Sequence, residues 1–267
     1  MYKLVAIDID DTLINDDNIM TEGTLAALNA AHEQGVVIAL ATGRMFAGAY
    51  PVAKQVGLDI PVISYQGALI KDLESNTVLY EKSVPSNVVE KIIKFSKEKD
   101  VHLQIYSGDQ LYARVDNDRV RTYAANQNLP YHIEPNFDTR FLVEPVTKML
   151  IYEEPELIDT LLNELKPELG QDCYITKSKP AYLEITHLEV NKGEAIKYLC
   201  NHFDIQLDEV IAIGDSWNDI QMLQVAGLPV AVANANDDLK KVAKYITASN
   251  NEEGVREVLE KFVLNQM

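Results

Sequence analysis

Leu4-Val5-Ala6-Ile7-Asp8-Ile9-Asp10-Asp11-Thr12-Leu13 is an apolar run that stops abruptly on three acids and a hydroxyl. A run of Val, Ile and Leu without polar alternation predicts a strand buried on both faces, as in a parallel sheet covered by helices. The acids then stand at the carboxyl end of that strand. In open α/β sheets this is the edge where ligands bind, which places Asp8, Asp10 and Thr12 for chemistry. Asp and Thr are also ordinary turn residues, so the stretch alone reads equally as a strand running into a solvated turn.

The flanking chain decides between these readings. Thr21 to Gln34 carries Leu25, Leu28 and Ala31 at helical spacing, with Thr21 as N-cap and Gly35 as stop. Val36 to Ala41 is a second buried-strand pattern, ending in Thr42-Gly43-Arg44. A helix from about Ala49 to Val56, with Pro51 in its first turn, and a third strand from Pro61 to Ser64 complete a βαβαβ beginning. The pattern then changes. A hairpin around Glu74-Ser75-Asn76 is followed by helices at Pro85 to Lys99, Arg119 to Gln127 and Pro155 to Leu165. Short strands at Leu103 to Tyr106, Leu111 to Val115, Lys148 to Tyr152, Tyr174 to Thr176 and Tyr182 to Thr186 are interleaved with them. This mixture predicts an α+β insert with an antiparallel sheet. The first pattern returns with helix Lys192 to Phe203, strand Val210 to Ile213, helix Asn218 to Ala226, strand Leu228 to Ala233, and helices near Asp237 to Val242 and Val255 to Leu264. The expected organisation is a discontinuous parallel-sheet core, residues 1–82 and 189–267, interrupted by a second domain at 83–188.

Lys and Arg number 24 against 41 Asp and Glu, a formal net charge of -17. Such a surface repels phosphate backbones and anionic lipid, which argues against nucleic-acid and membrane partners. It also repels an anionic metabolite unless a metal or local cations invert the field at the site. Cys173 and Cys200 form no C-x-x-C pair and read as buried thiols. Asp8 arrives before the apolar region of a secretory signal could develop, and the uncharged stretch 220–236 is interrupted by Gln221, Gln224, Gly227, Pro229 and Asn234. A soluble, cytoplasmic protein is expected.

In a parallel sheet Asp8, Asp10, Thr42 and Asp215, the last in Gly214-Asp215-Ser216-Trp217-Asn218-Asp219, share one edge, and Lys192 opens a helix that can reach it. Clustered carboxylates call for a cation, and an all-oxygen site for a divalent ion suits magnesium. These are parts for phosphoryl transfer.

The chain here resembles the haloacid dehalogenase superfamily, in its Cof-type sugar-phosphatase branch. The likeness runs over almost the whole chain and rests on Asp8-Ile9-Asp10-Asp11-Thr12, Thr42-Gly43-Arg44, Asn191-Lys192-Gly193 and Gly214-Asp215-Ser216-Trp217-Asn218-Asp219, in that order. The resemblance implies an α/β Rossmann-like core with an inserted cap. It implies Asp8 as nucleophile, forming an aspartyl-phosphate, and Asp10 as general acid and then base. Thr42 and the Gly43 amide would hold phosphate oxygens and Lys192 would neutralise charge. Magnesium would be held by Asp8, the backbone carbonyl of Asp10, and Asp215, while Asp219 supports the metal's waters or orients Lys192. Asn218 is a candidate contact to substrate or phosphate. Arg44 reads either as a substrate or cap contact or as a plain surface ion pair.

Gln66, in Tyr65-Gln66-Gly67, stands where the family more often shows Asn, and Asp11 where many relatives show Gly; Asp11 reads as a solvated turn acid. His32, His102, His132, His187 and His202 show no ligand spacing and are read as structural. The stretch from Asp8 to Thr42 has room for one helix and one strand, so the cap must follow Gly43. A cap that large favours a small phosphorylated metabolite over a phosphoprotein. A phosphosugar mutase would use the same intermediate. A receiver-like signalling module also joins acids, Thr, Lys and magnesium, but the second acid at Asp10 and the large insert oppose it. An intact Asp8, Asp10, Lys192 and Asp215 set opposes an idle binding protein.

Overall fold

Leu4–Asp8 (β1) is buried at every residue in the computed structural model, which describes residues 1–264. The last three positions, which the sequence reading assigns to the core, lie outside the described residues. After a tight turn at Ile9–Leu13 come helix Glu22–Glu33 (α1), capped by the Thr21 side chain, and strand Val37–Ala41 (β2). The next helix corrects the expected one: it runs Phe46–Ala53 (α2), not from Ala49. Phe46, Ala49, Val52 and Ala53 form its buried stripe, and Pro51 sits in its second turn. Proline lacks the N–H that would reach back one turn, and the helix tightens into a 3-10 turn at Lys54–Val56 soon after. Pro61–Ser64 (β3), Leu69–Asp72 (β4) and Val78–Glu81 (β5) follow.

The insert begins with Ser86–Glu98 (α3), whose buried Val88, Val89, Ile92, Ile93 and Ser96 lie one and four residues apart, the stripe of a half-buried helix. Full burial of each such aliphatic side chain is worth about 1.5–3 kcal/mol. Next come Leu103–Ser107 (β6), Gln110–Ala113 (β7), Asp118–Gln127 (α4), His132–Ile133 (β8), Phe137–Arg140 (α5), Lys148–Tyr152 (β9), Pro155–Leu169 (α6), Cys173–Lys179 (β10) and Tyr182–His187 (β11). The chain then returns with Lys192–Phe203 (α7), Val210–Gly214 (β12), Ile220–Val225 (α8), Leu228–Ala231 (β13), Asp237–Val242 (α9), Tyr245–Ile246 (β14) and Gly254–Phe262 (α10). Where one helix is expected from Asn218 to Ala226, a 3-10 turn at Trp217–Asp219 precedes the shorter α8. β8, α5 and β14 escape the sequence reading because a two-residue strand or a single helical turn carries no periodicity.

Two compact units result, Met1–Tyr80 with Asn191–Met267, and Glu81–Val190. The larger holds a sheet of order β14-β13-β12-β1-β2-β3-β4-β5, parallel from β14 through β3 and antiparallel from β3 to β4. Its centre is β1, in register with β2 (Asp8 opposite Ala41) and β12 (Ile7 opposite Ile213). The smaller unit is a sheet of order β10-β11-β9-β6-β7-β8, in which only β7 and β8 pair in parallel. One face packs Leu103, Ile105, Met149, Ile151, Leu183 and Ile185 against α3 and α6. The fold is therefore α/β with an inserted α+β unit. No helix among the described residues is long and apolar enough to cross a membrane.

His102 shows how the smaller unit treats a buried base. Its ring nitrogens lie 3.1 Å from the side-chain amides of Asn117 and Gln104, and Glu153 accepts only from its backbone N–H. Burial, with Arg119 and Arg114 nearby, pushes the imidazole down to about 4. The folded state thus refuses a proton that the unfolded chain takes up below pH 6.5, so stability is retained above that pH and lost as pH falls toward 4. Between pH 7.5 and 5 the wild type should lose about 2 kcal/mol more unfolding free energy than His102→Gln. Urea unfolding of both proteins at the two pH values measures the difference, and equal losses would remove His102 as its source.

Candidate active site

β1, β2 and β12 are adjacent and parallel, so their carboxyl ends deliver Asp8, Thr42 and Asp215 to one edge. The fourth contribution comes from a helix start. Asn191 caps α7 by accepting from the Glu194 amide at 3.0 Å, which places Lys192 first in the helix. A cation is unfavourable at the positive end of a helix dipole, and Lys192 is completely buried as well. It is held by two acids: its ammonium donates to the Asp8 carboxylate and, at 2.6 Å, to Asp219 Oδ1. Burial opposes the charge on Lys192, but the carboxylates outweigh it and raise the amine above its ordinary value.

Asp219 is fully committed. Its second oxygen accepts from the amides of Asp215 and Ser216, both at 3.1 Å. Burial and the charge of Asp219 push the Asp8 carboxyl well up, against the pull of Lys192. Burial, then Asp219 and Asp11, push Asp215 up to about 7. Thr12, which the sequence reading places at the site without a specific part, donates to Asp215 Oδ1 at 3.3 Å. Asp8, Asp215 and Asp219 each present an oxygen within 4.8 Å of the others. Three clustered carboxylates facing one ammonium, all of them oxygen donors, fit a hard divalent cation.

A second cluster is built on the turn after β2. Thr42 is buried, its amide donates to Ile63 at 2.8 Å, and its hydroxyl oxygen accepts from the Arg44 amide at 3.1 Å. The hydroxyl proton has no acceptor among the described residues, so Thr42 enters the site as a donor. Arg44 forms a two-pronged pair with Asp10, Nε to Oδ2 at 3.0 Å and Nη2 to Oδ1, and also reaches Gly48 O at 3.4 Å. It is a partly exposed ion pair, the second of the two readings from sequence, but its partner lies in the first motif rather than on the plain surface. Asn218 donates to Gln66 Oε1 at 3.1 Å. Asp11 has a positive φ, 57°, and its carbonyl accepts from Asn234 at 2.7 Å.

The haloacid dehalogenase-like hydrolase family matches the chain over residues 5–259. A Streptococcus pyogenes protein named provisionally as a phosphatase is 33% identical over 98% of this chain and 99% of its own. The crystal structure of a Thermotoga maritima protein superposes with a TM-score of 0.91 at 32% identity, covering 98% of both chains. A haloacid dehalogenase subclass IIB sugar phosphatase superposes at 0.79 with 26% identity, covering 97% of this chain and 98% of that one. The fold is an α/β one with acids gathered at the strand ends, and the family match marks it as a hydrolase. The chain belongs to the haloacid dehalogenase-like hydrolase family.

Among the described residues every partner of the Asp219 carboxylate is a donor, so Asp219→Asn must turn its NH₂ group against Lys192 or against two backbone amides. Breaking a buried pair in this way should cost about 3–5 kcal/mol. Chemical denaturation checks it, and a loss under about 1 kcal/mol would mean that Lys192 does not depend on Asp219.

Proposed function

We propose that the chain is a magnesium-dependent phosphatase that hydrolyses monoesters of small metabolites, sugar phosphates foremost, through an aspartyl-phosphate. The observation that carries this reading is the Asp8 carboxylate, buried at a strand end and bonded to Lys192, on the same edge as a Thr42 hydroxyl with a proton to give. Kinship with a sugar phosphatase supports the substrate class.

In this proposal an Asp8 oxygen attacks phosphorus and the ester bond breaks. Asp10 gives its proton to the departing oxygen, then takes one from the water that cleaves the acyl phosphate, which returns Asp8 and releases free phosphate. Arg44 pairs with both oxygens of the Asp10 carboxylate and fixes its direction, so one of these bonds must open before Asp10 can carry the proton it gives. Thr42, the Gly43 amide and Asn218 bind phosphoryl oxygens, and Lys192 offsets the charge that gathers on them. Asp8, the Asp10 carbonyl and Asp215 would hold magnesium, with Asp219 behind Lys192. The chemistry supplied by the bound ion is positive charge beside the phosphoryl oxygens, which also favours ionised Asp8 and Asp215. Residues 83–188 are assigned the part of a cap that selects the substrate, with 1–82 and 189–267 as the catalytic core. A cytoplasmic setting is part of the same proposal.

Phosphate release from a panel of phosphorylated metabolites tests the reading. Turnover should require magnesium, stop with a strong chelator and vanish in Asp8→Asn; turnover unchanged by chelator or by that substitution would sink it. Release of free phosphate also separates hydrolysis from return of the group to a sugar.

Asp10→Asn should lower turnover by ~10²–10⁴, the usual worth of acid and base assistance. An aryl phosphate leaves without needing a proton, so on that substrate the variant should accumulate phosphoenzyme, visible by quenching and intact mass. Wild-type turnover with no adduct would take the acid–base role from Asp10 and leave Asp11 as the candidate.

A further inference from the structure

Tyr65-Gln66-Gly67 belongs to none of the four motifs that mark the site, yet it touches three of them. The Tyr65 amide donates to Arg44 O at 2.8 Å and the Gln66 amide to Thr42 O at 3.0 Å. The Gln66 side-chain nitrogen lies 2.4 Å from where a Cβ on Gly43 would stand. Its oxygen accepts from Asn218, far away in sequence. Gly67, with φ +110°, packs so tightly on Asn191 that a Cβ would come within 2.4 Å of that carbonyl.

The backbone here is held in an unusual state. Tyr65 and Gln66 have φ of 51° and 60°, both in the left-handed region, and neither is glycine, asparagine or aspartate. Such residues each cost on the order of 1 kcal/mol and persist only where the surroundings impose them. A turn between β3 and β4 does not by itself need this. Nor does it need the Gln66 side chain, because the backbone of Gln66 is already anchored on Thr42. The side-chain oxygen of Gln66 faces Asn218 and its nitrogen lies over Gly43.

We propose that Gln66 is a positioning residue for phosphoryl binding, its side-chain amide tying Asn218 to the Thr42-Gly43 turn and setting the spacing between two loops that grip the phosphoryl oxygens. The proposal rests on the phosphatase reading of Thr42, Gly43 and Asn218. An alkyl chain at 66 keeps the bulk and loses the tie. A shorter amide keeps the polarity and falls short of Asn218.

The test uses wild type, Gln66→Leu, Gln66→Asn, Asn218→Ala and the Leu/Ala double variant. It reads steady-state phosphate release and calorimetric titration with inorganic phosphate. Gln66→Leu should lower kcat/KM about tenfold, mostly through KM, and weaken phosphate binding to match, as expected for one lost neutral hydrogen bond in an ordered site. Gln66→Asn should behave alike, and it carries the test if the leucine variant does not fold. The double variant should be no worse than the poorer single, because the two residues act as one unit. Wild-type KM and phosphate affinity in the Gln66 variants, or losses that multiply in the double variant, would overturn the proposal while leaving the phosphatase reading intact. A wild-type protein that releases no phosphate from any substrate would sink that reading instead, and phosphate titration would still report on Gln66.

Discussion

A lysine with no exposed surface, at the end of a helix where positive charge is least welcome, is the constraint around which the larger unit is built. Lys192 is tolerable only because Asp8 and Asp219 meet its ammonium. Asp219 in turn fixes the turn after β12 through two backbone amides, and so sets where Asp215 points. One buried cation thereby aligns the first strand, the helix that follows the insert and the loop after β12. The uncompensated acid that remains is what makes the place receptive to a divalent ion.

Much of this is legible in the sequence. Apolar runs ending in Asp8, Thr42 and Asp215 specify buried parallel strands, and parallel strands side by side must present their ends together. α7 is readable from residue to residue, Lys192–Phe203, because Asn191 is a strong cap and the helix ends at Asp204 in left-handed geometry. The family resemblance, with its phosphatase chemistry, follows from the four motifs taken together. What stays hidden depends on loop dihedrals. The pairing of Arg44 with Asp10 needs the path of the turn after β2, and the reach of Gln66 to Asn218 needs two successive left-handed residues that no pattern of residue types announces. Pro51 misleads for a related reason: proline marks helix starts on average, while the apolar stripe of Phe46, Ala49, Val52 and Ala53 extends the helix ahead of it.

The two units solve burial differently. The larger covers its parallel sheet with helices and keeps polar groups at the strand ends. The smaller places one apolar sheet face against α3 and α6, and admits polar residues such as Gln104 and Lys148 to positions in register between the apolar ones. Lys148 meets Glu184 at 3.0 Å, a part-buried pair whose alignment depends on strand register. A slip of one residue would strand both charges.

The central position of β1 also carries a consequence for synthesis. One of its edges is closed by β2, which emerges from the ribosome soon afterwards, but the other is closed by β12, at Val210–Gly214, after the whole insert has been made. Throughout that interval a strand of unbroken apolar character offers unpaired backbone to any neighbour, the circumstance in which nascent chains aggregate. The insert, with its own hydrophobic cluster, can collapse in the meantime. By topology alone, then, a five-residue strand waits for its second partner until most of the chain has been made.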